Sequence, residues 1–318
     1  MIHVQLTKFR KPSVLTEGFL FLILLTLFSC ATNQNFSKQA QDVEQHQKTE
    51  HPSEQEIPGE SRFKWQKVEN AGWAEYFLYE NKDIPLRYHC IKIDLSDKNL
   101  SILTFPTSKN EFSQKNGKTT DFFTGLTAKD FSEKTNSIIS INASPYKGKF
   151  KSSKLSLLTS PRKIVGIHIV NKEILSPPVR KYSAICFKKT KDGFVGEILK
   201  KQESANFTEY DFAFAGFFTI LKDFQKESFP VQKDDSRTAV GLSQNGQTLY
   251  LLTVEGEKRS ESTGLSYQKC ADIMLALGAS DAIQLDGGGS TTLFINGKNC
   301  LSYTNNRKNA VFIGFSNK

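Results

Sequence analysis

An α+β fold is what this sequence predicts: mixed and antiparallel sheets packed with a few helices, forming a single catalytic-type domain. Three observations carry that prediction. Strand-like segments, alternating or β-branched, outnumber segments with a helical period. The helical segments come between groups of strands. The composition is globular, and 25 phenylalanines among 318 residues support a sizeable core. The sequence contains no internal repeat.

At the N-terminus, Lys8, Arg10 and Lys11 precede residues 19–28, a run of ten that is apolar except for Thr26. Such a run is short for a spanning helix and matches the apolar core of a signal peptide. It ends Leu27-Phe28-Ser29-Cys30. A branched apolar residue, then a small residue directly before Cys, resembles the lipobox of bacterial lipoproteins. The resemblance implies that residues 1–29 are a signal peptide and that Cys30 is diacylated and becomes the mature N-terminus. Residues 31–60 are rich in Gln, Glu, Ser, Lys and Asn, with too few apolar residues to fold alone. Residues 30–62 therefore read as the lipidated cysteine and a flexible linker, and residues 63–318 as the domain. The expected location is the bacterial cell envelope, periplasmic or surface-exposed, with the membrane held through the lipid anchor.

Within the domain, residues 87–95 alternate as a strand does, and 100–105 form a second candidate. Residues 121–133 are expected to be helical, 137–141 a short strand ending at Asn142, and 164–170 a β-branched strand. Residues 207–221 hold a dense aromatic run. Strands are expected at 237–242 and 248–254, joined across Gln244-Asn245-Gly246 as a hairpin. Ser266 opens a helix in which Tyr267, Cys270, Ile273, Met274 and Leu277 fall at helical spacing, with Gly278 placed as its terminal glycine. Strands at 282–286, 291–295 and 310–315 complete the chain.

The net charge is +9, but the lysines are scattered and no basic tract is interleaved with aromatics. Nucleic acid is therefore not an expected partner. A mildly basic surface suits an anionic substrate or envelope. After Cys30 four cysteines remain, Cys90, Cys186, Cys270 and Cys300, none in a CxxC or Cys/His cluster, so no zinc site is indicated. Their even number permits disulfides without fixing pairs. Cys270, within the helical pattern, is expected to be a small buried hydrophobe.

The chemistry concentrates in residues 281–297, DAIQLDGGGSTTLFING. A hairpin needs only two turn residues, and each glycine costs entropy on folding. Gly287, Gly288 and Gly289 allow backbone N–H groups to approach a ligand and form an anion nest. Ser290 and Thr291 add hydroxyls, and Asp286 a carboxylate. No Gly-Lys-Ser/Thr follows, so this is not a phosphate loop of the NTPase kind, and no helix opens after it, so it is not the dinucleotide fingerprint. Arg237 heads its strand and is suited to bidentate contact with a phosphate. Glu255 ends the next strand, beside Gly256.

Ser236-Arg-Thr-Ala-Val-Gly, Val254-Glu-Gly, Ser262-Thr-Gly-Leu-Ser and Leu285-Asp-Gly-Gly-Gly-Ser-Thr-Thr-Leu occur in this order. Together they resemble the phosphodiester glycosidase family, well over residues 236–315 and loosely over 85–235. The resemblance implies hydrolysis of a sugar-1-phosphodiester to sugar and phosphate monoester. On that reading Asp286, Glu255 and Arg237 are catalytic. Asn142, Gly287, Gly288, Gly289, Ser290, Thr291, Ser262, Gly264 and Arg307 contact substrate. Arg307 and Asn309 match a terminal Arg-Pro-x-Asn segment of the family. The two carboxylates would serve an oxocarbenium-like sugar and activate water, with the base unassigned between them. A phosphate monoester, with a second pKa of about 6, leaves without strong protonation. The expected partner is a glycan or sugar-phosphate. No cofactor is expected; a divalent cation between Asp286 and a phosphate fits the chemistry, but no ligand spacing calls for one.

This chain departs from the family pattern at Glu255 and Glu257, where the family has Asp and Arg. Ala143 and Ser144 replace glycines of the first loop, and Pro145 stiffens it. Those departures support a second reading, a non-catalytic glycan-binding or interaction lipoprotein on the same fold. The catalytic reading requires Asn142, Arg237, Glu255 and Asp286 to line one pocket.

Overall fold

Alternation at residues 87–95 becomes the strand Leu86–Asp94, and the hairpin signal at Gln244-Asn245-Gly246 joins Arg237–Leu242 to Thr248–Val254 in the register expected of a tight turn, Leu242 opposite Leu249. These strands sit in an antiparallel sheet of eight. Its order is Gln66–Val68, Ala71–Asn81, Leu86–Asp94, Thr248–Val254, Arg237–Leu242, Asp281–Gln284, Phe218–Lys222 and Gln225–Lys226. The computed structural model describes residues 63–148, 161–203, 206–230 and 232–318. The signal segment, Cys30 and the linker lie outside them.

Both faces of the large sheet are covered, which is why its central strand Arg237–Leu242 is buried at every position. Pleat alternation sorts the side chains. Val240, Leu242, Leu249, Leu251, Ile91 and Ile93 pack with Ile139, Ile141, Phe312 and Phe315 of a five-stranded sheet. That sheet runs Lys298–Asn299, Leu293–Ile295, Ile139–Asn142, Phe312–Asn317, Leu100–Phe105. On the other face Ala239, Leu252, Val254 and Cys90 pack against Cys270, Ile273 and Met274 of the helix Tyr267–Ala276. Ser266 caps that helix by accepting from the Lys269 N–H, and Gly278 follows it with φ +93°. A second five-stranded sheet and a four-stranded sheet complete the fold. Cys90, Cys186, Cys270 and Cys300 are all free thiols, and Cys270 is fully buried.

Three expectations are corrected. Among the described residues every strand pairing is antiparallel and there are only two α-helices, so the domain is richer in strand than an α+β fold of mixed sheets. The helix expected at 121–133 is instead the end of strand Lys118–Phe123 followed by helix Ala128–Thr135. Thr127 and Asp130 form a capping box there, and the backbone of Leu126 bridges to Asn309, holding the preceding residues extended. The strand expected at 164–170 splits into Arg162–Ile164 and His168–Val170, which belong to different sheets. Gly166, at φ +100°, makes the break, and a side chain there would press on Ala215.

Candidate active site

The Asp286 loop leaves strand Asp281–Gln284 and passes through one turn, Gly288–Ser290, before strand Leu293–Ile295. Buried backbone bonds fix its course: Asp286 N–H donates to Ala143 O at 2.9 Å and Gly288 N–H to Ser236 O at 2.8 Å. Asn142, 1% exposed, is the clip beneath it. Its Nδ2 donates to Asp286 O at 2.6 Å, and its Oδ1 accepts from Thr238 Oγ1 and Thr292 N, each at 2.9 Å. Asn142 therefore orients the loop from below, with its amide oxygen doubly engaged and one Nδ2 hydrogen committed to the loop.

The glycines act mainly by allowing close approach. A Cβ on Gly287 would come within 3.0 Å of Ser236 O, and one on Gly289 within 2.5 Å of Arg307 Nη2. The N–H groups of Gly288, Ser290 and Thr291 are bonded to protein carbonyls, and that of Gly287 to the Asp286 carboxylate. These amides hold the loop and its carboxylate, so they are engaged within the protein and not free for the expected anion nest.

Asp286 itself is half-buried. Burial pushes its carboxyl up to about 6, against the Ser290 hydroxyl, the Arg307 charge and the Gly287 N–H, which all pull it down. Arg307 is half-buried, with Nη1 3.5 Å from Ser290 Oγ. It rides on a strap, residues 302–309, that the Asn305 amide ties to Gly289 O at 2.9 Å and to Thr291 O at 3.0 Å, and the Asn309 amide to Ser290 O at 2.8 Å. Tyr146 Oη lies 3.5 Å from both Ser290 Oγ and Asn309 Oδ1. The guanidinium of Arg162, 1% exposed, stands 5.1 Å from the Tyr146 ring, and its Nε donates to Lys308 O at 2.8 Å. Asp286, Ser290, Arg307, Tyr146 and Arg162 thus meet in one place.

Glu255, just past the end of strand Thr248–Val254, occupies a different environment. It is 1% exposed. Oε1 accepts from Arg87 Nε and His89 Nε2, both at 2.8 Å; Oε2 accepts from Ser302 N at 3.0 Å and from the Ser302 hydroxyl. Burial pushes this carboxyl up, but the bonds from His89 and Ser302 outweigh it and hold it below the ordinary glutamate range. Burial likewise lowers His89, against the bond to Glu255, which raises it. The network then assigns its tautomer: Nε2–H donates to Glu255, and Nδ1 accepts from Tyr76 Oη at 2.9 Å.

Arg237 is not part of this cluster. Strand alternation turns it with Ala239 toward the helix, whereas Thr238 and Val240 face Asn142 and the second sheet. It is stacked 4.0 Å from the Tyr267 ring, and it donates to Leu265 O at 3.0 Å, Lys233 O at 2.7 Å and Tyr267 Oη at 3.2 Å. The four-residue pocket is therefore corrected: Arg307 supplies the guanidinium near Asp286, and Arg237 ties the strand to the helix. Ser262 is fully buried and donates to Glu255 O at 2.6 Å. Gly264 passes against the Asp235 backbone. Both shape the corner beneath Glu255 and present nothing to a ligand. Thr291 is fully buried, its hydroxyl 3.5 Å from Thr238 Oγ1.

Tyr146, Arg162, His89, Arg87 and Ser302 escaped the sequence reading. Each meets its partner across a long stretch of chain, 166 positions for His89 and Glu255, and no local pattern marks them. The described residues include no group of three or more His, Cys, Asp or Glu placed to hold a metal ion. None of their helices is long and apolar enough to cross a membrane.

The fold and this loop define the class, and the comparisons with known proteins agree: residues 135–316 match phosphodiester glycosidase, and the chain belongs to that family. Over 62 residues it is 44% identical to the bovine N-acetylglucosamine-1-phosphodiester alpha-N-acetylglucosaminidase, a match spanning 20% of this chain and only 11% of that protein. Among solved structures it is similar to the zebrafish N-acetylglucosamine-1-phosphodiester alpha-N-acetylglucosaminidase catalytic domain auto-inhibited by pro-peptide, with TM-score 0.55, 15% identity, and 80% of this chain and 86% of that one covered. A hypothetical protein from Synechocystis gives TM-score 0.54 at 12% identity, covering 79% of this chain and 64% of that one. A putative exported protein from Burkholderia pseudomallei gives 0.54 at 11%, covering 73% and 74%. At these identities the structural likeness shows the fold.

Proposed function

We propose that this chain hydrolyses sugar-1-phosphodiesters, with Asp286 as the reacting carboxylate and Arg307 as the phosphate ligand, and that it works at the bacterial envelope on a lipid anchor at Cys30. One observation carries the reading: a half-buried aspartate with its carboxyl raised to about 6 faces a guanidinium and a hydroxyl at the loop that the family match includes. A base poised near neutrality suits general-base catalysis. Water adds to the anomeric carbon and gives its proton to Asp286. The bond from that carbon to the phosphate oxygen breaks, and the electron pair leaves with the phosphate monoester. Arg307 offsets the negative charge that gathers on the departing phosphate. Because the leaving group is weakly basic, no separate general acid is required, and Glu255 is free to serve elsewhere. The envelope assignment is supported by the basic segment, the apolar run and the lipobox-like Leu27-Phe28-Ser29-Cys30.

The test is release of free sugar from a panel of sugar-1-phosphodiesters by the full chain, beside Asp286→Asn and Arg307→Ala. Loss of release in both folded variants supports hydrolysis and begins to name the sugar. A wild type that binds a panel member yet never cleaves it supports the glycan-binding reading instead.

A further inference from the structure

Glu255 was expected among the catalytic carboxylates, but its geometry suits another task. All its acceptor capacity goes to four donors from three residues, and one of these, Ser302, opens the strap that carries Arg307. Downstream of Ser302 the strap is held by amide bonds from Asn305 to the glycine loop and from Asn309 to Ser290 O, and by Arg162 Nε on Lys308 O. Its first residue is the one fastened to a buried carboxylate, by both its N–H and its hydroxyl. Behind that carboxylate stands His89, 1% exposed, locked between Glu255 and Tyr76. Arg87 completes the corner and also reaches Glu80 Oε2 at 2.6 Å. Charge-assisted bonds of this kind are about twice as strong as neutral ones, and a buried carboxylate must keep all of them. We infer that Glu255 and His89 are positioning residues: together they pin the start of the 302–309 strap and so hold Arg307 over Asp286. The inference rests on the hydrolase reading only in taking Arg307 as the phosphate ligand; the pinning stands or falls by itself.

Amide hydrogen exchange on the full chain tests it. In Glu255→Gln the side-chain NH2 must face either Ser302 or the Arg87 and His89 donors, so one side of the clamp fails in either orientation. His89→Leu removes one donor, and His89→Gln restores an N–H near the same place. The expected result is faster exchange at the Ser302 and Arg307 amides, by about 10-fold or more, in Glu255→Gln and His89→Leu. The helix Tyr267–Ala276 should keep its wild-type rates, and His89→Gln should return the strap to near wild type. Unchanged strap exchange overturns the inference. So does equal acceleration of strap and helix, which marks a general loss of stability. Should Glu255→Gln fail to fold, the His89→Leu and His89→Gln pair decides by the same criterion. Exchange does not depend on turnover, so a chain inert on every phosphodiester would count against the hydrolase reading and leave this result standing.

Discussion

Asp286 and Glu255 end neighbouring parts of one sheet, yet their surroundings drive them in opposite directions. Asp286 is half-buried with few compensating donors, and burial wins: its carboxyl rises to about 6. Glu255 is more deeply buried, but the donors of His89 and Ser302 outweigh burial and lower it. Burial alone therefore does not identify a catalytic carboxylate. The number of donors facing it decides whether it is a poised base or a fixed anion. On the proposed hydrolase reading, the same comparison favours Asp286 as the base, which the motif order left open between the two.

The contrast is broken most sharply by substitution. Asp286→Asn should lower kcat by about 10^3-fold without unfolding the chain, as loss of a general base does, measured on whichever panel member wild type cleaves. Glu255→Ala should instead cost stability, about 3–5 kcal/mol by denaturant unfolding, since Arg87 and the Ser302 amide lose a buried ionic partner. Arg307→Ala should lower kcat/KM by about 10^2-fold with an unchanged unfolding midpoint.

Arg237→Ala sharpens the comparison from the other side. The motif places this arginine in catalysis, whereas the fold places it against Tyr267 and two carbonyls. Activity per folded molecule should be retained while stability falls by about 1–3 kcal/mol.

The smallest effects lie in the pH dependence. Asp286 has a folded-state pKa raised above its ordinary 3.8, so its stabilising contribution is complete below about 3.8 and is lost as pH rises through about 6. Asp286→Asn should therefore gain about 1 kcal/mol at pH 8, a figure discounted for partial exposure, and nothing at pH 3. Glu255 runs the other way: its contribution is present above the ordinary glutamate range and is lost as pH falls through its depressed value. Thermal melts of wild type and Asp286→Asn across pH read the first slope, and kcat/KM should rise through pH 6 as Asp286 ionises.

Local elements were legible because local rules fix them. The strands Arg237–Leu242 and Thr248–Val254, their hairpin, and the helix after Ser266 follow from period and capping. Asp286 and Arg307 were legible as motif residues. The direction of Arg237 was not, because a strand-end residue has two faces available and only the packed helix decides between them. The role of Asn142 depended on Thr238 and Thr292, and that of Glu255 on His89, all distant in sequence. The altered first loop, Ala143-Ser144-Pro145, also reads differently in three dimensions. Ala143 and Ser144 are each 1% exposed, and Ala143 O receives the Asp286 N–H, so these changes repack the floor under the loop.

The most direct test of the account is a carboxyl titration by carbon NMR on the full chain, with Asp286 and Glu255 assigned by substitution. The account predicts a midpoint near 6 for Asp286 and one below the ordinary glutamate range for Glu255. The reverse order, with Glu255 titrating near neutrality and Asp286 ionised throughout, would contradict it and move the base to the Glu255 corner.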